Sequence, residues 1–139
     1  TMKLSLIIGA VLGLTAVILG AFGAHGLKHV LDAGALNTFE IAVRYQMYHA
    51  LAILLIGALS HVASVTWLRR AAIGFIAGVV LFSGSLYLLI FTGQKWLGPI
   101  TPLGGLCLMV GWGFTVIALT NGADNGADNS AKKGACDHE

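Results

Sequence analysis

Charge is what this chain has least of. Charged residues make up 10% of its 139 residues, against about 25% in an ordinary soluble domain. A soluble chain of this length must cover a large surface with polar groups, and 8 basic plus 6 acidic residues cannot do that. A water-soluble globular enzyme is excluded on that ground. The presence of only 2 Cys excludes a disulfide scaffold, and a hydrophobic share of 57% excludes a disordered chain. The net charge of +2 is too small and too scattered for a nucleic-acid footprint.

What the chain does have is apolar length, with a mean hydropathy of +0.85. A membrane-spanning helix needs about 20 predominantly apolar residues, because it rises about 1.5 Å per residue across about 30 Å of hydrocarbon. Four stretches meet or approach that: 4–24, 45–67, 71–91 and 100–119. The first and third hold no charge, and the second holds His49 and His61 but no Asp, Glu, Lys or Arg. The fourth carries Pro102 near its start, where a missing N–H costs little. The links are short: Arg69-Arg70 between the second and third stretches, residues 92–99 between the third and fourth. Short links make consecutive helices antiparallel neighbours. The expected fold is all-α, an up-down-up-down four-helix bundle in a membrane, formed by residues 1–120.

Residues 121–139 read differently. NGAD occurs twice in tandem and apolar periodicity vanishes, so a disordered polar tail is expected. Its Cys136 and His138 are metal-type ligands without a framework, and no metal or other cofactor is expected. The first stretch, preceded by Lys3 and followed by small residues, resembles a secretory signal. Its run of about 20 apolar residues exceeds the 7–15 of a signal core, so it is read as a span.

Residues 26–44 are the one sizeable polar insertion. Glu40 and Arg44 lie four apart in the acid-first order that favours a helical ion pair. Asn37 followed by Glu40 fits a loose capping box, so the second helix is expected to start near Thr38. A solvated face at the membrane boundary is the ordinary explanation of these charges.

Orientation follows the Lys/Arg bias of the short loops. Lys3, Arg69, Arg70, Lys132 and Lys133 lie on one side, against Lys28, Arg44 and Lys95 on the other. That balance places both termini in the cytoplasm. Most polar residues in or beside the spans then gather at the outer end: His25 where helix one leaves, Tyr45 and His49 entering helix two, Ser83 and Ser85 in helix three, Thr101 opening helix four. Reversing the topology would keep this cluster and change only the compartment it faces.

Each member has a plain reading beside the functional one. His25 suits a helix C-terminus, where it can bond the last carbonyls. With His29 it could meet one metal only if the helix continued past Gly26, and a third ligand would still be needed. Tyr45 and Tyr48 suit interfacial anchors. His49, an ionisable group inside a span, is a site hypothesis by default; its plain reading is an interhelical hydrogen bond to Ser83 or Ser85. The glycine and alanine pairs Gly9/Gly13, Gly20/Ala24 and Gly74/Gly78 allow close helix approach, either within one chain or between chains. No Asp or Glu lies within a span, and no phosphate loop, HExxH, CxxC or nucleophile elbow is present.

Four motifs in order carry a further indication: GAFGAHGL, FEIAVRYQMYHALA, LFSGSLYLL and GPITPLGG. In order and spacing they make residues 1 to about 120 resemble the YgdD/YwdK-like small membrane proteins, the domain-of-unknown-function family numbered 423. The resemblance implies a four-helix protein of the bacterial inner membrane and no particular activity. The family's pattern matches here at His25, Tyr45, Gln46, Tyr48, His49, Ser83, Gly84, Ser85, Tyr87, Thr101 and Pro102. The leading expectation is a non-enzymatic membrane protein that binds a small ligand, lipid or ion through His25, Tyr45, His49, Ser83, Ser85 and Thr101. The alternative is an accessory subunit that packs on a larger membrane complex, or on its own copies, through small-residue helix faces. Membrane lipid is the expected partner in either case, and nucleic acid is not.

Overall fold

The computed structural model describes residues 2–122; of the tail expected over 121–139, Asn121 still belongs to the last helix and Gly122 caps it, and 123–139, with Cys136 and His138, lie outside the described residues. The described residues form four long helices: α1 (Met2–His25), α2 (Ala33–Leu59), α3 (Val65–Thr92) and α4 (Ile100–Asn121). Two short 3-10 turns, Leu27–His29 and Lys95–Leu97, complete the links at one end. All four helices are long and apolar enough to cross a membrane. The end carrying Lys28, Asp32 and Lys95 is called the Lys95 end below, and the opposite one the Arg69 end.

Helix boundaries depart from the hydropathy reading in two places. The second helix begins at Ala33, not near Thr38, and Asp32 rather than Asn37 is its cap. The Asp32 carboxylate accepts the Ala35 N–H at 2.7 Å from an extended backbone, which satisfies one orphan donor of the first turn. The second break falls at residues 60–64, not at Arg69-Arg70. Ser64 is extended there, and its N–H donates to the Ala118 carbonyl of α4 at 3.0 Å, tying the turn to the neighbouring helix. His61 therefore lies in the turn, and Trp67, Arg69 and Arg70 open α3. Charge marks where the hydrocarbon ends, not where the helix does. Arg70 places its guanidinium 4.5 Å from the centre of the Trp67 ring, one turn back.

At the other end α3 stops at Gly93, whose φ of 69° suits glycine, and whose N–H returns to the Leu89 carbonyl at 2.9 Å.

Packing runs in sequence order. α1 lies mainly on α2, α2 on α3, and α3 on α4, while α1 and α4 form no packed interface. The antiparallel bundle is therefore open between its first and last helices. Two of the small-residue pairs of the sequence, Gly9/Gly13 and Gly74/Gly78, are used inside the chain, while Ala24 of the third is exposed. A Cβ at Gly9 would meet the Ile53 side chain at 2.8 Å, and one at Gly74 would meet the Gly111 Cα at 3.1 Å. At Gly104 a Cβ would meet the Phe82 backbone nitrogen at 2.3 Å, so α3 and α4 touch backbone to backbone there. Phe39, Phe75, Ile53, Ile56 and Leu68 are fully buried between the helices.

Candidate functional site

Every candidate group except His25 is drawn into a contact between helices or with its own turn. His49 is buried on α2. Its Nδ1 lies 2.8 Å from the Tyr45 carbonyl and its Nε2 accepts the Trp112 indole N–H at 3.1 Å. A carbonyl only accepts and an indole N–H only donates. The pair of bonds therefore assigns the proton to Nδ1 and makes His49 a neutral imidazole with both nitrogens engaged. The Tyr45 ring stacks on the imidazole at 6.1 Å with an interplanar angle of 13°. Phe75 closes the other side, 5.4 Å from the imidazole and 4.9 Å from the indole.

The expected bond from His49 to Ser83 or Ser85 is not made. Ser83 instead donates to the Ala42 carbonyl of α2 at 2.7 Å. Ser85 meets Thr101 at 2.6 Å and also donates within its own turn to Phe82. So the single cluster read from the sequence is three separate bridges: α2 to α4 through His49, α3 to α2 through Ser83, α3 to α4 through Ser85. His25 joins none of them; it ends α1 and is exposed. The helix stops there, and His29 sits in the following 3-10 turn, so the two do not share a helix face. Among the described residues no three His, Cys, Asp or Glu side chains converge.

A fourth bridge joins three helices through a residue outside the candidate set. The Gln46 amide nitrogen donates to the Leu12 carbonyl at 2.8 Å and to the Thr15 hydroxyl at 2.7 Å, both on α1. Its carbonyl oxygen accepts the Tyr87 hydroxyl of α3 at 2.8 Å. Three of the four bonding sites of that amide are thereby filled. Among the described residues no buried side-chain nitrogen or oxygen lacks a partner. Sequence reasoning also missed Trp112. Its signal was position: an indole in mid-span, away from the interface where aromatic belts sit, needs a partner for its N–H.

Beside His49 the surface is hollow. A groove of about 480 Å³ runs between α2 and α4 over α3, lined by Tyr45, His49, Phe82, Pro102, Gly105, Leu108, Met109 and Trp112. Tyr45 is 41% exposed and Trp112 46%, so the groove opens sideways to whatever surrounds the helices. With both His49 nitrogens occupied, the Tyr45 hydroxyl is the polar group of this wall that bonds none of the described residues. The arrangement suits an apolar guest with a single polar contact, and offers no nucleophile–base pair.

Residues 19–105 match the model of a family described as "Protein of unknown function (DUF423)". The chain is similar to the UPF0382 membrane protein SAB0533 of Staphylococcus aureus (strain bovine RF122 / ET3-1), 46% identical over 84% of this chain and 95% of the relative. It is similar to the UPF0382 membrane protein YwdK of Bacillus subtilis (strain 168), at 44% over 84% and 96%. A UPF0382 membrane protein of Haemophilus influenzae is 42% identical over 74% of this chain and 82% of its own length. No solved structure matches.

Proposed function

This chain belongs to the DUF423 family of UPF0382 membrane proteins, and from that premise we propose that it is a non-enzymatic multi-pass protein that holds the apolar chain of an amphiphile in the groove between α2 and α4. The groove itself carries the reading. Its volume of about 480 Å³ falls in the range of about 300–1,000 Å³ typical of ligand pockets, which are mostly apolar with a few placed polar groups. Tyr45 supplies the polar contact, and the Trp112 and Phe82 rings the apolar walls. His49 acts as a post that sets the distance between α2 and α4, while Ser83 ties α3 to α2 and the Ser85–Thr101 pair ties α3 to α4. An ion is a poorer guest, because no carboxylate lines the groove. His25 lies outside this site.

The protein sits in the bacterial inner membrane with the Arg69 end, and both termini, in the cytoplasm. Lys3, Arg69 and Arg70 at that end support the orientation.

Gly105→Leu tests the site. A Cβ at Gly105 meets only the edge of the Phe82 ring, at 3.8 Å, so the larger side chain fills the groove without forcing the helices apart. Purified protein in nanodiscs is extracted and its bound amphiphile weighed by native mass spectrometry. The wild type carries one apolar-chain adduct that Gly105→Leu loses at unchanged melting temperature. An adduct retained by the variant would overturn the reading.

A second reading, packing on a larger complex or on another copy, rests on Gly84 and Gly113. A Cβ at either would meet nothing within 4 Å, so the chain's own packing leaves these small-residue positions free. Gly113→Leu that abolishes a crosslinked oligomer or a co-purified partner would support it.

A further inference from the structure

On the opposite side of α2 from the groove lies the pair Glu40 and Arg44, and Glu40 is the one acidic residue in the four long helices. The two side chains approach to 3.8 Å, and they are 50% and 58% exposed. Helical side chains lean toward the N-terminus of their helix, which in α2 is toward the Lys95 end. The Arg44 guanidinium thus reaches back along the helix to Glu40.

The depth of the pair can be read from α1. Gly23 packs on Phe39 and Gly20 on Val43, while α1 ends at His25. At about 1.5 Å per residue the pair sits about 3–8 Å below the last residue of α1. The 24 residues of α1 rise about 36 Å against about 30 Å of hydrocarbon, which puts the pair close to the boundary between hydrocarbon and headgroups. Charges at that boundary turn toward the polar headgroup layer, and one another, at 3.8 Å and half exposed, is only part of what each can bond.

A hollow of about 230 Å³ adjoins the pair, lined by Gly20, Gly23, Phe39, Glu40, Val43 and Arg44. Gly20 leaves it open, since α1 has no side chain there, while at Gly23 the Phe39 ring takes the space a side chain would fill. Its volume is below the range of about 300–1,000 Å³ for a whole ligand. It suits a headgroup whose acyl chains remain in the bilayer. The two charges then select the headgroup. A guanidinium binds phosphate well, but the adjacent carboxylate repels an anion that has nothing to offer it.

We propose that Glu40, Arg44 and the glycine-floored hollow beside them form a binding site for a zwitterionic phospholipid headgroup, its phosphate on Arg44 and its primary ammonium on Glu40. The phosphate lies toward the bilayer and the ammonium toward the surface, which is the order of Arg44 and Glu40 along α2. This site is separate from the groove between α2 and α4, and neither depends on the other.

The test uses the full chain, delipidated in mild detergent, titrated with phosphatidylethanolamine or phosphatidylglycerol of identical acyl chains and read by native mass spectrometry. The wild type binds phosphatidylethanolamine more tightly. Arg44→Gln weakens that adduct by about tenfold. Glu40→Gln reverses the preference, because the phosphate contact survives and the repulsion of anionic headgroups is gone. Gly20→Leu fills the hollow and loses the adduct with both charges present; a Cβ there meets Val43 at an ordinary 3.5 Å, so the helices need not shift. Gly105→Leu leaves this adduct unchanged, which separates it from the site proposed above. Equal binding of the two lipids by wild type would overturn the proposal. So would a preference indifferent to all three substitutions at positions 20, 40 and 44.

Discussion

The Trp112 indole donates to the His49 imidazole at 3.1 Å across a gap that helix backbones do not close: α4 packs on α3 and α2 packs on α3, but α2 and α4 share almost no direct contact. One side-chain bond therefore spans the groove.

Removing that bond tests its worth. Trp112→Phe keeps an aromatic wall and deletes the donor, leaving the His49 Nε2 unpaired. Polar contacts between membrane helices average about 0.6 kcal/mol and reach about 1.7 kcal/mol. A double-mutant cycle of Trp112→Phe with His49→Ala, read by unfolding in mixed micelles, should return a coupling in that range. Additive effects would mean that the two residues stabilise the fold separately.

Gln46→Leu should cost more than any single change at His49, Ser83 or Ser85. It strands the Tyr87 hydroxyl and cuts the polar tie between α1 and α3, while the Thr15 hydroxyl keeps its bonds to the Val11 and Leu12 carbonyls of its own helix. We expect about 2 kcal/mol, from the desolvation cost of unpaired buried groups at about 1–3 kcal/mol each, softened because the unfolded chain in a bilayer also finds partners. Proteolysis between α1 and α2 in micelles would report the loss directly. A variant as resistant as wild type would show that apolar packing alone holds α1.

Two glycines of α4 should respond in opposite ways to the same methyl group. Gly104→Ala drives a Cβ against the Phe82 backbone at 2.3 Å, and backbone cannot rotate out of the way. The melting temperature should fall sharply. Gly113→Ala meets nothing within 4 Å and gains helix propensity of about 1 kcal/mol. It should melt at or above wild type. Equal effects would contradict the backbone contact between α3 and α4.

Orientation is checked by cysteine labelling in a background with Cys107 and Cys136 replaced by Ser. His61→Cys lies in the turn at the Arg69 end and Gln94→Cys in the link at the Lys95 end, both exposed. A membrane-impermeant maleimide should label position 94 in intact spheroplasts and position 61 only after permeabilisation. The reverse pattern would turn the protein over.

Hydropathy alone determined four helices, their antiparallel order and their membrane setting, because the transfer cost of charge into hydrocarbon is read residue by residue and needs no partner. It located the start of α4 and the link from 92 to 99 for the same reason. It misplaced the turn between α2 and α3 and the start of α2, since helix ends are decided by backbone donors and acceptors, which Asp32 and Ser64 satisfy, and not by where charge begins. The polar residues were also legible as a group: a His, Gln or Ser within a span must bond something. Which something was not. Partners at separations of 63 residues for His49 and Trp112, or 41 for Gln46 and Tyr87, depend on the register in which helices meet. That register is set by glycines letting backbones approach, a pairwise fit between distant segments that no single stretch of sequence contains. The tertiary structure thus decided that His49 faces Trp112, that the bundle stays open between α1 and α4, and that a groove lies beside it.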